Sequence, residues 1–292
     1  VIEADEYDRS FLKLSPDIAV VTAMDSDHLD IYGTAEQVEQ AYIEFAGRIK
    51  DGGCLISKYG LKRDSELNAE HHLRYSLFDN KAHIFALNLL VVNGAYHFDI
   101  SYAGSIIKGF QLGIGGLHNI ENMVAAVGVA CYLQIEEEKI KAAVAAFQGV
   151  KRRFEYYLKN DKHVLIDDYA HHPEEIAALI SGIRSLYSQK LTIVFQPHLY
   201  SRTKDMAAEF AEKLDLADEV ILLPIYPARE APMEGVSSAL ILEKMKLANK
   251  RMLTKEEMLS AVQKENPPLL ALCGAGDIAE LVIPVKNLLV KV

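Results

Sequence analysis

The sequence predicts an α/β protein in two parts: a first domain, residues 1–149, with a small antiparallel subsheet, and a second, residues 150–292, built on a doubly wound, mainly parallel sheet. Three observations carry this. After Gly149 short β-branched runs alternate with helix-length amphipathic segments, which is βαβ repetition. Residues 83–112 alternate apolar and polar positions around Asn93-Gly94, the pattern of a tight hairpin. A chain of 292 residues also exceeds the roughly 250 that one core commonly organises.

In chain order, residues 18–23 read as a buried strand that ends in D-S-D-H-L-D. Thr34 and Gln37 fit a capping box, and Val38, Ala41, Tyr42, Phe45 and Ile49 recur at helical spacing until Gly52-Gly53. Beyond the hairpin region, residues 113–116 lead into a helix with Ile120, Met123, Val124, Val127 and Cys131 on one face, and a second helix spans about 136–147. In the second part strands are expected at 164–166, 191–195, 220–225 and 269–273, with helices at 174–187, 204–216 and near 239–248. Ligands of such sheets bind beyond the carboxyl ends of the strands. Here those ends carry D-D-Y-A-H-H-P, Q-P-H-L-Y-S-R-T, Y-P-A-R-E-A-P and G-A-G-D.

Composition narrows the function. A formal charge of -10 argues against nucleic acid as partner, since phosphate contacts need a basic face. No apolar run reaches the ~20 residues of a spanning helix, so no membrane insertion is expected. Cys54, Cys131 and Cys273 lie far apart in apolar contexts and read as reduced thiols, which points to the cytoplasm, and the opening V-I-E has no leader pattern.

Several clusters have both a bland and a chemical reading. Glu3, Asp5, Glu6 and Asp8, with Asp25, Asp27, His28 and Asp30, make either a solvated acidic loop or a magnesium site. Asn119 and Asn122 share a helix face; Asn119 alone is explained as an N-cap, whereas Asn122, one turn in, suits reading a base edge. K-R-R-F at 151–154 is either a solvated basic run or an anion contact at the domain boundary. Asp167, Asp168, His171 and His172 allow a metal-dependent hydrolase, and G-A-G-D at 274–277 a truncated dinucleotide fingerprint and hence an oxidoreductase.

E-A-D-E-Y-D, D-S-D-H-L-D-I-Y-G, G-L-H-N-I-E-N, K-R-R-F, D-D-Y-A-H-H-P-E-E, F-Q-P-H-L-Y-S-R-T and Y-P-A-R-E-A-P follow one another in that order. The series resembles the Mur ligase family across essentially the whole chain. F-Q-P-H-L-Y-S-R-T and D-H-L-D-I-Y-G are similar to the alanine-adding branch rather than the branch that recycles murein peptides. The resemblance implies a partial central ATPase domain followed by a Rossmann-like ligase domain. It further implies a cytoplasmic enzyme that uses ATP and magnesium to join L-alanine to UDP-N-acetylmuramate through an acyl phosphate, in peptidoglycan synthesis. By the same resemblance Glu3 and His28 are metal ligands, Asn119 and Asn122 face adenine, Arg153 contacts phosphate and Asp168 holds the ribose. His171, His172, His198 and Arg202 then line the region of the amino acid and acyl phosphate. Two departures accompany it: Leu199 stands where the family usually has a second arginine, and no G-K-T phosphate loop occurs in the chain. The chain therefore reads as part of a longer enzyme and is expected to be inactive alone.

Overall fold

The structure, a computed structural model, describes residues 1–25 and 29–291. They form two compact units, one of Val1–Gly113 with Leu117–Phe147, the other of Ile114–Gly116 with Gln148–Val292.

The first unit contains β1 (Ile18–Val21), α1 (Leu29–Tyr32), α2 (Ala35–Ala46), β2 (Cys54–Lys58), β3 (His71–Ser76), β4 (Ile84–Val92), β5 (Ala95–Tyr102), β6 (Ser105–Leu112), α3 (Leu117–Tyr132) and α4 (Glu137–Ala146). Thr34 Oγ1 accepts the Gln37 amide at 3.3 Å, so α2 starts where its cap residue predicts. The helix ends at Ala46, before Ile49, and packs Val38, Ala41 and Phe45 against Phe11, Ala19 and Val21. The antiparallel strands are not a separate sheet. All six strands form one sheet in sequential order, parallel from β1 to β4 and antiparallel from β4 to β6. The parallel ladder between β3 and β4 is short, Tyr75 opposite Ile84 and Ser76 opposite Phe85, and the sense changes at the next pair, β4 with β5. Asn93 and Gly94 have φ of 52° and 69°, the pair of positive values that a two-residue type I′ turn requires. On α3, Ile120, Val124 and Val127 are buried, as their spacing predicts.

The second unit contains β7 (Glu155–Lys159), β8 (Val164–Asp168), α5 (Pro173–Leu186), β9 (Leu191–Phe195), α6 (Tyr200–Leu214), β10 (Glu219–Leu222), α7 (Ala239–Lys244), β11 (Lys250–Met252), α8 (Lys255–Glu265), β12 (Leu269–Cys273) and α9 (Val282–Val290). Its sheet runs β11-β10-β9-β12-β8-β7, and all pairs are parallel except β7 with β8. Thus β12 is inserted between β8 and β9, and all five of its residues are fully buried. The order reverses there, which brings the ends of β8, β12 and β9 together as a ligand-binding rim. Ile114–Gly116 packs into this unit: a Cβ on Gly115 would lie inside the Phe154 ring, and one on Gly182 of α5 would be 3.1 Å from the Gly116 nitrogen.

Candidate functional site

At the rim of the second unit the three cations of K-R-R-F part company. Arg152 and Phe154 hold φ of 58° and 52°, so the backbone kinks on both sides of Arg153. Arg152 turns inward: its Nη2 donates to Gly274 O at 2.6 Å, its Nε lies 3.4 Å from Asp167 Oδ2, and its guanidinium stands 4.8 Å over the Tyr169 ring. Lys151 and Arg153 stay exposed.

Asp167 and Asp168 end β8 on opposite faces of the sheet. Asp167 is 1% exposed, and burial raises its pKa to about 6 against the pull of Arg152. Asp168 accepts the Phe154 amide at 2.7 Å and the Ala170 amide at 2.7 Å, one on each oxygen. Burial raises its pKa as well, and these two bonds oppose the shift. The carboxylate thereby fixes the K-R-R-F turn and the start of the His171 loop, while each oxygen keeps a lone pair for a ligand hydroxyl.

The structure brings His171, His198 and Arg202 together. His171 Nδ1 lies 2.9 Å from Tyr169 O, so the proton sits on Nδ1 and Nε2 is left as an acceptor. Its ring is 6.0 Å from that of His198, which in turn stacks on Tyr226 at 5.8 Å. Burial, then the neighbouring Arg202, lowers the His198 pKa and keeps its imidazole neutral. Arg202 projects from the first turn of α6, and neither its Nη1 nor His198 Nδ1, both buried, has a hydrogen-bond partner among the described residues. His172 is the N-cap of α5, and its amide and that of His171 donate to Glu175 Oε2 at 3.0 and 2.9 Å. Helix α6 starts four residues earlier than expected, behind a Leu199 held at φ 70°, ψ 138°, a conformation costly for a branched side chain.

Two competing readings lose their geometric basis. The opposite faces of Asp167 and Asp168 separate the supposed metal cluster, and no group of three or more His, Cys, Asp or Glu is poised to hold a metal among the described residues. G-A-G-D is not a pyrophosphate turn. The Gln196 amide fills it, donating to Asp277 Oδ1 at 2.8 Å and accepting the Ile278 amide at 2.9 Å, so a Cβ on Gly276 would strike the Gln196 oxygen. A short 3-10 turn, Asp277–Leu281, follows instead of the long helix whose N-terminus would bind phosphate.

In the first unit Asn119 is the third residue of α3 and not its N-cap, which corrects the bland reading; it is half-buried, and Asn122 one turn on is exposed. Glu121 between them pairs with Lys58 at 2.9 Å. The opening acidic run divides as well. Asp5 and Asp8 cap the Tyr7 and Ser10 amides at 3.0 and 2.9 Å, whereas Glu3 is exposed and lines a groove of about 1190 Å³ with Asp17, Val20 and Leu133. His28 and Asp27 lie outside the described residues. Tyr169, Gln196, Tyr226 and Glu230, which organise the rim, were not singled out from the sequence; their strings were visible there, but nothing in a string tells which member turns inward.

Comparison with known proteins adds two domain assignments. The Mur ligase middle domain matches residues 1–130, and the glutamate ligase domain of Mur ligases matches residues 152–277. The chain is 43% identical over 290 residues to the UDP-N-acetylmuramate--L-alanine ligase of Flavobacterium johnsoniae, covering 99% of this chain and 63% of that protein. To the ligase of the same name from Porphyromonas gingivalis it is 44% identical, covering 99% and 64%. The chain thus spans less than two thirds of the length of these relatives. Among crystal structures, UDP-N-acetylmuramate-alanine ligase from Thermotoga maritima shares the fold with a TM-score of 0.76 at 22% identity, covering 99% of this chain and 62% of that one. The MurF ligase of Thermotoga maritima in complex with ADP does so with 0.69 at 18%, covering 97% and 65%. No helix among the described residues is long and apolar enough to cross a membrane.

Proposed function

The chain belongs to the Mur ligase family, and from that premise we propose that it serves as the nucleotide-binding and amino-acid-adding portion of a cytoplasmic UDP-N-acetylmuramate--L-alanine ligase. The observation that carries this reading is the similarity to alanine-adding relatives sustained over 99% of the chain. The two compact units are taken as the central and C-terminal domains of such an enzyme.

The reaction proceeds in two balanced steps. A lactyl carboxylate oxygen of UDP-N-acetylmuramate attacks the γ-phosphorus of ATP, forming an acyl phosphate and releasing ADP. The L-alanine amine then attacks the acyl carbon, forming the amide, and phosphate and a proton leave. Both steps bring anions together: two unit charges ~4 Å apart repel by roughly 4 kcal/mol at an effective dielectric near 20. Arg153, exposed on its kinked turn, offers phosphate a planar fork. Asp168 offers the ribose hydroxyls its remaining lone pairs, and Asn119 and Asn122 offer adenine their amides. His171 Nε2 is placed to accept a proton of the alanine ammonium, the neutral His198 packs beside it, and His172 follows on the same loop at the start of α5. Arg202 supplies a cation to the amino-acid and acyl-phosphate region. Magnesium, which takes oxygen ligands and neutralises phosphate charge, fits the exposed carboxylate of Glu3, with His28 as the second ligand.

The test is coupled ADP release by the full-length protein with ATP, magnesium and UDP-N-acetylmuramate. Alanine-dependent turnover is expected; a requirement for a murein peptide in place of alanine would assign the recycling branch instead. These 292 residues alone, which contain no G-K-T loop, should not reach the ~1 per second of a working enzyme.

A further inference from the structure

The loops after β9 and β10 are laced together. Tyr226 N donates to Pro197 O at 2.8 Å, Leu199 N to Tyr226 O at 3.0 Å, and the Ser201 amide and hydroxyl to Glu230 at 3.0 and 2.5 Å. Glu230 N returns to Pro227 O at 2.9 Å, closing a turn in which Ala228 holds φ 48°. Arg229 is therefore fixed between two anchored residues, beside the first turn of α6 that carries Arg202. Its guanidinium is exposed and makes no hydrogen bond or ion pair among the described residues, because both oxygens of the adjacent Glu230 are taken by Ser201. Arg202 Nη1 and His198 Nδ1, both buried, are also without hydrogen-bond partners among the described residues. Both arginines act on the His198 imidazole, in keeping with this proximity.

Buried donors left unpaired are costly; Glu230, the carboxylate nearest the two arginines, is held by Ser201, and among the described residues neither guanidinium has a carboxylate in ion-pair contact, so the anion that completes the site comes from outside. The anion has a definite neighbour: the His171 ring, 6.0 Å from His198, presents an acceptor nitrogen. Donors for an anion beside an acceptor for an ammonium match a zwitterion rather than a phosphate. We infer that Arg229 is a second carboxylate-binding residue, which with Arg202 holds the α-carboxylate of the amino-acid substrate while His171 faces its amine. This rests on the ligase reading above. It also gives the Leu199 departure a physical account: the missing cation is supplied from the neighbouring loop.

The experiment compares L-alanine with L-alaninamide, which lacks the carboxylate charge, as substrates of the full-length protein and of Arg229→Gln and Arg229→Lys. Arg229→Gln should lower kcat/KM for L-alanine roughly 10- to 100-fold, through KM, while alaninamide and the ATP requirement move by no more than about twofold. Arg229→Lys should recover part of the loss. The melting temperature should hardly change, since the exposed guanidinium makes no hydrogen bond or ion pair among the described residues, and that separates lost binding from lost folding. Intact discrimination between the two substrates, or a change in ATP dependence in its place, would overturn the inference. A wild-type protein without alanine-dependent ADP release would overturn the ligase reading itself and the inference with it.

Discussion

In the first unit Asn122 and Glu3 stand on the surface with no hydrogen bond or ion pair among the described residues, whereas in the second Arg152, Asp168 and Gln196 are bonded to backbone atoms of neighbouring loops. The first set can be altered without touching the fold, and its only cost is to a ligand. The second set is scaffold and candidate site at once, because the same bonds that shape the rim position Arg153, His171 and the glycine turn. Preorganisation of this kind lets a site meet its ligand without reordering, and it makes stability and function inseparable there.

The largest effect that can break this comparison is expected at Arg152. Replacing it by methionine keeps the apolar stem but leaves Asp167 buried without its cation, at a cost of about 3 kcal/mol in unfolding free energy at pH 8. At pH 5, where Asp167 takes up a proton, the loss should be smaller. Denaturant unfolding at both pH values measures it, and a loss no bigger than that of a surface arginine would show that the rim is held by other means.

Next comes the pH dependence of the wild-type protein. The folded pKa of Asp167, about 6, lies above its ordinary value of 3.8, so between these values the folded state binds more protons than the unfolded one. The stability contribution is fully present below the lower value and is lost as pH rises through the upper. About two pKa units correspond to roughly 3 kcal/mol. Asp167→Asn should flatten the profile between pH 4 and 6, and a variant as steep as the wild type would place the titration elsewhere.

The smallest structural effect is expected at Asn122. Asn122→Ala in the full-length protein should leave the melting temperature unchanged or slightly higher, since alanine is the better helix former. It should raise the ATP requirement roughly five- to 150-fold, for the loss of about 1 to 3 kcal/mol of hydrogen bonding, with sugar-nucleotide affinity unmoved. An unaltered ATP requirement would remove Asn122 from the nucleotide site and leave the first unit without a tested contact.

Much of the fold was legible because burial imposes periodicity. Strand β9 and strand β12 coincide with the apolar runs that announced them, and the Asn93-Gly94 turn adopts the conformation its residues favour. Elements with weak burial contrast escaped: β7 and β11 at the two sheet edges are half-buried or exposed, and β11 reads only K-R-M. Strands β2 and β3 were overlooked between stronger signals, and α8 despite the capping box from Thr254 to Glu257. For the site, the order of motifs named Arg153, His171, His198 and Arg202, but backbone direction decides which member of a string faces a ligand. The positive φ at Arg152 and at Leu199, on residues with no preference for it, is what turns one arginine inward and sets the start of α6.

The placement of β12 also bears on how the second unit comes into being. Strands β8 and β9 do not pair with each other; each has an outer neighbour, β7 or β10, and takes β12, which follows both in the chain, as its inner one. A ribosome delivering this sequence releases two apolar strands whose shared partner has not yet been made. The central ladder cannot zip progressively. It closes late, through contacts between distant parts of the chain, a topology associated with slow folding. Until that moment the rim residues at the ends of β8 and β9 have no common frame, so ligand-binding competence arrives in one event, with the docking of a single five-residue strand.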